Sequence, residues 1–254
     1  MLERFRQAKQ AEIARLLAAG PPPPLPGPRP GFRSGLEARG PCAVVAEYKR
    51  ASPSKGVINL GLEPRDVAAM YARAGAAAVS VLTEEAYFQG SLAYLAAMTG
   101  PGLPLLRKDF LFHPLQVAET AATPASALLL IARMFATAQE LRDLREQAES
   151  LGLEALVEVF DEQDLDLARE SGATLLQVNN RDLDTLAVSL DVSRRLAPQR
   201  RAGEFWISAS GIDASGQVAE MRALGFGAVL VGTSLMASAD PGAALAALVA
   251  GGRP

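Results

Sequence analysis

The stretch AVVAEYKRASPSKG, residues 43–56, is an apolar run that ends in Glu47 and Lys49 and passes into a turn-forming segment. Side chains alternate along a strand with a period of two, so Glu47 and Lys49 lie on the same side of it. Ionisable groups within an apolar run are costly unless they are paired or face a cavity. The stretch therefore predicts a buried strand that brings two charged side chains to a site at its carboxyl end.

Seven further apolar runs follow this one, and amphipathic segments with the spacing of helices separate them. The eight runs are AVVAEYK (43–49), AAVSVLT (77–83), LPLLRKD (103–109), ASALLLIA (125–132), EALVEVF (154–160), TLLQVNN (174–180), FWISASG (205–211) and GAVLVGT (227–233). Runs that are apolar on both faces are typical of parallel strands covered by helices. Eight such units closed on themselves form a TIM (β/α)8 barrel, which is the fold we expect. A doubly wound open sheet is the alternative, but no GxGxxG motif follows the first run.

The residues before the first run predict a helical extension. The segment MLERFRQAKQAEIARLLAAG mixes both charge signs and has no continuous apolar core, so it is not a signal peptide. It predicts one amphipathic helix whose apolar stripe is formed by Leu2, Phe5, Ile13, Leu16 and Leu17. The proline-rich segment 21–30 predicts an extended linker that is too short to divide two domains. We therefore expect one domain over residues 1–254, with the extension and linker over 1–42 and the barrel over 43–254.

Composition excludes several classes of function. The formal net charge is −3, so we expect neither a nucleic-acid partner nor an anionic membrane surface. No apolar run approaches the ~18 residues of a membrane span. The single Cys42 excludes an internal disulfide and a cysteine-based metal site, and the single His113, just before Pro114, predicts a loop or a helix start. A soluble cytoplasmic protein is the expectation.

Lysine is rare in this chain. There are four lysines against twenty-one arginines, and Lys49, Lys55 and Lys108 lie in two short strand-like motifs. Arginine does not deprotonate in proteins, whereas lysine is a compact point charge whose pKa responds to its surroundings. Lysine at positions 49 and 108 therefore suggests proton transfer or precise placement of an anion. The alternative is chance, with packed stems and solvated ammonium groups.

Polar residues follow most of the predicted strands. In a barrel, active sites form where strands end and the next loops begin. The candidates at these ends are Glu47, Lys49, Ser52, Lys108, Phe110, Glu158, Asn179, Asn180, Arg181, Ser208, Ser210, Gly211, Gly232 and Thr233. The loops after the last two strands, SASGI (208–212) and VGTSLM (231–236), bring glycine and hydroxyl groups to the recurrent phosphate site of this fold. The ligand is therefore expected to carry a monophosphate.

Taken in order, several segments resemble the indole-3-glycerol-phosphate synthase family of tryptophan biosynthesis. They are AEYKRASPSKG, SVLTEEAYFQGSLAYL, LLRKDF, LVEVFDEQDL, NNRDLDTL, SASGI and VGTSLM, and the match covers nearly the whole chain. The resemblance implies a TIM barrel with an N-terminal helical extension and no cofactor or metal. It also implies conversion of 1-(2-carboxyphenylamino)-1-deoxyribulose 5-phosphate to indole-3-glycerol phosphate, carbon dioxide and water. We expect a monomer rather than a stable hetero-complex.

The resemblance also implies roles for individual residues. Lys108 is expected to be the general acid, Lys49 to hold substrate anions, Glu158 to act as a base and Glu47 to position the lysines. The remaining expectations are Asn179 and Ser210 in the hydrogen-bond shell, Arg181 and Ser52 at substrate anions, Phe88, Phe110 and Leu230 along the aromatic pocket, and Gly211, Gly232 and Thr233 at the phosphate. One departure is visible, because Ala209 stands where the family usually has glutamate.

Three other functions stay open on the residues alone. The same barrel and phosphate site could serve a sugar-phosphate isomerase or an aldolase with a Schiff-base lysine. The chain could instead be a binding protein without catalytic activity, although Lys49, Lys108 and Glu158 argue against that. The N-terminal helix could dock a partner enzyme of the same pathway, although its apolar stripe is expected to pack on the barrel.

Overall fold

Eight parallel strands close into a barrel in the computed structural model, which describes residues 2–183 and 185–253. The barrel strands, numbered first to eighth below, are Ala43–Tyr48, Ala78–Leu82, Leu105–Lys108, Ala127–Ile131, Glu154–Val159, Leu175–Asn179, Phe205–Ala209 and Ala228–Val231. The first strand pairs with the second, with Val45 opposite Ala78, and with the eighth, with Ala43 opposite Ala228. This closure confirms the predicted barrel and shows that the open-sheet alternative is wrong.

Helices alternate with the strands, as the amphipathic segments predict. They are Leu2–Ala8, Gln10–Ala19, Phe32–Glu37, Pro64–Arg73, Ala93–Ala97, Pro114–Ala121, Ala138–Ser150, Glu162–Glu170, Asp191–Leu196, Ser215–Ala223, Thr233–Met236 and Pro241–Gly252, with short 3-10 turns at Ala132–Met134 and Ala197–Gln199. His113 caps the helix that starts at Pro114, because its side chain accepts a hydrogen bond from the backbone N–H of Leu115. The predicted helix start at this histidine is confirmed.

The strands are buried on both faces. Every residue of the first strand and of the fourth strand, Ala127–Ile131, is buried, as apolar runs between a packed barrel interior and a layer of helices require. A small antiparallel hairpin, Ala51–Ser52 paired with Gly56–Val57, follows the first strand. This hairpin lies at the carboxyl end of the barrel and carries the serine-rich turn of the opening motif.

The N-terminal extension differs in detail from its prediction. It forms two helices that meet at Lys9 instead of one, and a third helix, Phe32–Glu37, precedes the barrel. Phe5, Ile13 and Leu16 are buried as expected, but Leu17 is 66% exposed. The second helix packs mainly on one neighbouring helix, Pro114–Ala121, so only a narrow stripe of its surface is covered. The prediction for Leu17 was therefore wrong.

The proline-rich linker runs along the outside of the barrel. Its residues belong to neither a helix nor a strand. The backbone N–H of Leu25 donates to the carbonyl of Ala121 at 2.8 Å, and Arg29 donates to the carbonyls of Ala121 and Thr123. Among the helices that the structure describes, none is long and apolar enough to cross a membrane.

Candidate active site

A cavity of about 630 Å³ opens at the carboxyl ends of the barrel strands. Charged and polar side chains reach it from the strand ends, and the following loops complete its walls. The fourteen residues to which the family resemblance assigns a role all line it: Glu47, Lys49, Ser52, Phe88, Lys108, Phe110, Glu158, Asn179, Arg181, Ser210, Gly211, Leu230, Gly232 and Thr233. The fold therefore brings these residues, which are up to 186 positions apart in the sequence, to a single rim.

Two lysine–glutamate pairs lie in this cavity. The Nζ atom of Lys49 lies 2.8 Å from Oε1 of Glu47, and the Nζ atom of Lys108 lies 3.6 Å from Oε2 of Glu158. Ser80 of the second strand donates a hydrogen bond to Oε2 of Glu47 at 3.2 Å. Burial alone would raise the pKa of Glu47, but the ammonium groups of Lys49 and Lys108 hold it below its ordinary value. Glu47 is therefore an anion placed between two cations.

Glu158 accepts hydrogen bonds from two amide side chains of the neighbouring strand. Asn179 donates to its Oε1 atom at 3.0 Å, and Gln177 donates to its Oε2 atom. Gln177 lines the cavity but was not among the predicted site residues. A signal for it existed in the sequence, since a glutamine inside the apolar run TLLQVNN stands two positions before Asn179 and so faces the same way.

The loops after the seventh and eighth strands form the candidate phosphate site. Ser210 and Gly211 have left-handed backbone angles, with φ of 70° and 79°. A Cβ atom added to Gly232 would overlap the side chain of Glu47, so only glycine fits where this loop passes the first strand. Thr233 begins the helix that follows, and the N–H groups of a first helical turn lack partners within their helix.

Two candidates from the strand ends do not reach the cavity. Asn180 and Ser208 point away from it and are buried beneath the helix Asp191–Leu196. The Nδ2 group of Asn180 donates to Oγ of Ser208 at 3.0 Å and to the carbonyl of Ser210 at 3.1 Å. Because side chains alternate along a strand, the neighbours of inward residues face outward. Asn180 thus holds the backbone of the loop at Ser210 from behind.

Apolar side chains, called the apolar wall below, line much of the cavity. The predicted residues Phe88, Phe110 and Leu230 belong to it, and further apolar residues that the sequence did not indicate extend it: Phe5, Leu82, Ile131, Leu183, Leu186 and Val188. Phe5 comes from the N-terminal extension and stacks on Phe110, with ring centroids 3.8 Å apart and planes inclined by 10°. No sequence pattern links these two rings, which are 105 positions apart.

Fold and site together define a class of protein. A closed (β/α)8 barrel, with lysine and glutamate side chains converging at the carboxyl ends of its strands and two glycine loops after the last strands, is a TIM-barrel enzyme that takes a phosphorylated substrate. The lysine and glutamate side chains and the apolar wall line the same cavity. Such an enzyme suits a substrate with both an aromatic part and a phosphate.

Comparison with known proteins identifies the family. The model of the family described as "Indole-3-glycerol phosphate synthase" matches residues 24–248. The indole-3-glycerol phosphate synthase of Carboxydothermus hydrogenoformans is 45% identical over 84% of this chain and 81% of its own length. That of Chlorobaculum tepidum is 41% identical over 94% of this chain and 96% of its own. The chain therefore belongs to the indole-3-glycerol phosphate synthase family, as the sequence motifs predict.

Solved structures agree on the fold alone. The 3-hexulose-6-phosphate synthase of Salmonella typhimurium superposes with a TM-score of 0.64 at 15% identity, over 82% of this chain and 97% of that one. A second 3-hexulose-6-phosphate synthase gives a TM-score of 0.65 at 13% identity. At this level of identity the comparison supports the barrel architecture and carries no argument about the reaction.

Proposed function

We propose that this chain is an indole-3-glycerol-phosphate synthase of tryptophan biosynthesis, and in chemical class a carboxy-lyase. It converts 1-(2-carboxyphenylamino)-1-deoxyribulose 5-phosphate to indole-3-glycerol phosphate, carbon dioxide and water. The observation that carries the proposal is the pair of lysine–glutamate contacts, Lys49 with Glu47 and Lys108 with Glu158, which face one cavity between an apolar wall and two glycine loops.

The cavity suits the two ends of this substrate. Its volume of about 630 Å³ lies within the range of ~300–1,000 Å³ found for small-molecule sites. The aromatic ring packs against the wall that contains Phe88, Phe110 and Leu230, and the phosphate meets the backbone around Gly211, Gly232 and Thr233. These two ends fix the chain of the sugar between them, so that its ketone lies among the lysines.

Ring closure requires an acid. When the aromatic carbon that bears the carboxylate attacks the ketone, negative charge develops on the ketone oxygen, and a positioned proton donor stabilises it. Lys108 ends the third strand, and its ammonium group faces the cavity. In this role Lys108 gives a proton to the oxygen, and Lys49 lies two strands away, near enough to lower the energy of the same charge.

Loss of carbon dioxide restores the aromatic ring and requires no electron sink. The carboxylate needs a cationic environment until the ring closes, and Lys49, Arg181 and the hydroxyl of Ser52 line the cavity for that purpose. Glu47 fixes Lys49 through their 2.8 Å contact. Asn179 and Ser210 add hydrogen-bonding groups near the sugar hydroxyls.

Dehydration requires a base. Removing the hydroxyl left by ring closure needs proton abstraction on one side of the new ring and proton donation on the other. Glu158 acts as the base. Its two oxygens accept from Asn179 and Gln177, which leaves it oriented into the cavity beside Lys108. The family usually has a glutamate at position 209, where this chain has Ala209. Ala209 supplies no carboxylate for dehydration, so this step depends more strongly on Glu158.

A direct assay tests the proposal. The purified protein is incubated with the carboxyphenylamino deoxyribulose phosphate, and the fluorescence of the indole product and the release of carbon dioxide are followed together. We expect both products in equal amounts. Borohydride added with the substrate tests the aldolase alternative, since a reduced lysine adduct would reveal a Schiff base, and its formation without indole would contradict the proposal.

We propose that the enzyme acts as a monomer, in which one chain supplies every residue to which a role is given above. Its phosphorylated substrate is charged and is retained inside cells, which supports the expected cytoplasmic location. Size-exclusion chromatography with light scattering tests the monomer. A stable dimer at micromolar concentration would contradict it.

A further inference from the structure

Gln177 is a buried glutamine at the floor of the cavity. It is fully buried, it lines the cavity, and it lies on the sixth strand directly opposite Glu158 of the fifth strand in the register of the sheet. Amide side chains are rarely buried without a use for their hydrogen-bonding groups, because an unpaired polar atom in an apolar interior is costly. The bonds that Gln177 makes therefore indicate what it does.

The nitrogen and the oxygen of the Gln177 side-chain amide differ in their hydrogen bonding. Its Nε2 group donates to Oε2 of Glu158, the same oxygen that faces the ammonium group of Lys108. Its carbonyl oxygen Oε1 has no hydrogen-bond partner among the residues that the structure describes. The opposite orientation of the amide would set its carbonyl oxygen against a carboxylate oxygen, which is unfavourable while Glu158 is ionised. The orientation of Gln177 is thus tied to the charge on Glu158.

The surroundings make this contact important. Glu158 is the only acidic side chain from the fifth, sixth and seventh strands that lines the cavity within residues 2–183 and 185–253. Beyond the sixth strand, the seventh strand presents Ile207 opposite Gln177 and Ala209 opposite Asn179. Neither of these side chains offers a hydrogen-bond donor or acceptor. Among the described residues, Glu158 is therefore held by the two amides of the sixth strand and by Lys108.

We propose that Gln177 is a positioning residue for the base Glu158. When Glu158 gains a proton, the side-chain amide of Gln177 rotates by a half-turn. With Glu158 ionised, Nε2 donates to the carboxylate. When Glu158 has taken a proton from the substrate, a half-turn of the amide brings Oε1 to accept that proton in a hydrogen bond. The carboxyl group is then held in one place in both protonation states. The role of Glu158 in turnover rests on the proposed function, whereas the contact itself does not.

The first test is a substitution that keeps shape and removes the donor. Gln177→Met has nearly the same length and no amide. We expect kcat to fall between about 10-fold and 100-fold, since misplacing a reacting group has effects of that size, while KM changes less than about twofold.

The charged groups around Glu158 must be constant in this comparison. Besides Glu158, those that line the cavity are Lys108, Lys49, Lys55, Glu47, Arg181, Asp109 and Asp213. None is altered by Gln177→Met. Gln139→Met is the matched control, because Gln139 makes the same kind of amide-to-carboxylate bond, to Asp143, on an exposed surface and does not line the cavity. We expect it to leave kcat unchanged.

A second measurement does not depend on turnover. The 13C NMR signal of the Glu158 side-chain carboxyl, assigned with a Glu158→Gln variant, is expected to shift in Gln177→Met at constant pH, because the carboxylate loses a hydrogen-bond donor. If the original protein makes no indole product, the proposed function fails, and this signal still decides the role of Gln177. Should Gln177→Met not fold, Gln177→Asn tests the same contact, because the shorter side chain withdraws the amide from Glu158.

A double variant separates positioning from simple packing. In a Glu158→Gln background, Gln177→Met is expected to lower residual turnover no further, since the group that it positions is gone. Unchanged kcat in folded Gln177→Met, together with an unchanged NMR signal of the Glu158 carboxyl, would overturn the proposal. A further fall in the double variant equal to that in the single variant would also overturn it.

Discussion

The ammonium group of Lys9 lies 2.6 Å from Oδ1 of Asp109, the residue next to Lys108 in the chain. Both side chains are buried, and Lys9 also contacts Glu12 at 2.8 Å. Arg107, on the other side of Lys108, contacts the second oxygen of Asp109 at 3.2 Å. A buried ion pair therefore joins the N-terminal extension to the end of the strand that carries the proposed general acid, Lys108.

Replacing Lys9 should destabilise the protein strongly. Lys9→Met leaves Asp109 buried with one of its two cations missing, and breaking a buried ion pair costs about 3–5 kcal/mol of unfolding free energy. Urea unfolding followed by circular dichroism measures this. The matched control is Arg33→Met, which removes an exposed pair with Glu37 and is expected to cost less than about 1 kcal/mol. Equal losses of unfolding free energy in the two variants would show that the buried ion pair stabilises the protein no more than the exposed one.

The pKa of Asp109 predicts how the unfolding free energy of the protein depends on pH. Burial alone would raise the pKa of Asp109, but Lys9 and Arg107 hold it below its ordinary value. Since the folded pKa lies below the unfolded value of about 3.9, the ionised group contributes stability that is complete above about pH 5. That contribution is lost as the pH falls through the folded pKa.

Urea midpoints measured between pH 3 and 7 check this pH dependence. The original protein should lose stability steeply in the acid part of the range, with Glu47 acting in the same direction because its pKa is also lowered. Asp109→Asn should be less stable at pH 7 and should show a flatter curve at low pH. A curve for the variant as steep as that of the original protein would contradict the assignment.

Gly232 should tolerate no side chain. A Cβ atom there would lie 2.9 Å from Cβ of Glu47 and would overlap its carboxylate, so Gly232→Ala must push Glu47 away from Lys49. We expect kcat/KM to fall by about tenfold or more. Gly216→Ala is the matched control, since a Cβ atom at Gly216 meets no atom within 4 Å, and activity should stay at its original level. Full activity in Gly232→Ala would show that Glu47 need not contact Lys49.

The barrel and the strand-end residues could be predicted from the sequence because both follow from local patterns. Alternation along a strand places Glu47 and Lys49 on one side, and closure of the barrel then brings Lys108 and Glu158 to the same rim. The same alternation, applied more strictly, would have excluded Asn180, which directly follows the inward Asn179. Gln177 would have been included on the same ground.

Other parts of the site depend on tertiary contacts that no local pattern encodes. Phe5 reaches Phe110, and Lys9 reaches Asp109, only because the extension folds back over the barrel. An amphipathic stripe shows which face of a helix is buried but does not show which surface covers it.

Asn180 should matter although it lies outside the cavity. It bonds Ser208 and the carbonyl of Ser210, whose left-handed backbone is uncommon for a residue other than glycine. Asn180→Ala leaves several buried groups unpaired, at a cost of about 1–3 kcal/mol each. We expect a lower unfolding free energy, and a KM for the phosphorylated substrate raised more than kcat is lowered. Unchanged KM and unchanged urea midpoint would contradict this role.

The turnover of Lys108→Ala, measured by the fluorescence of the indole product, tests the central claim most directly. Losing a general acid typically costs ~10²-fold or more, so we predict a fall in kcat of at least that size in a protein that still unfolds cooperatively. Arg39→Ala, which removes an exposed cation, should turn over normally. Turnover of folded Lys108→Ala close to that of the original protein would contradict the account.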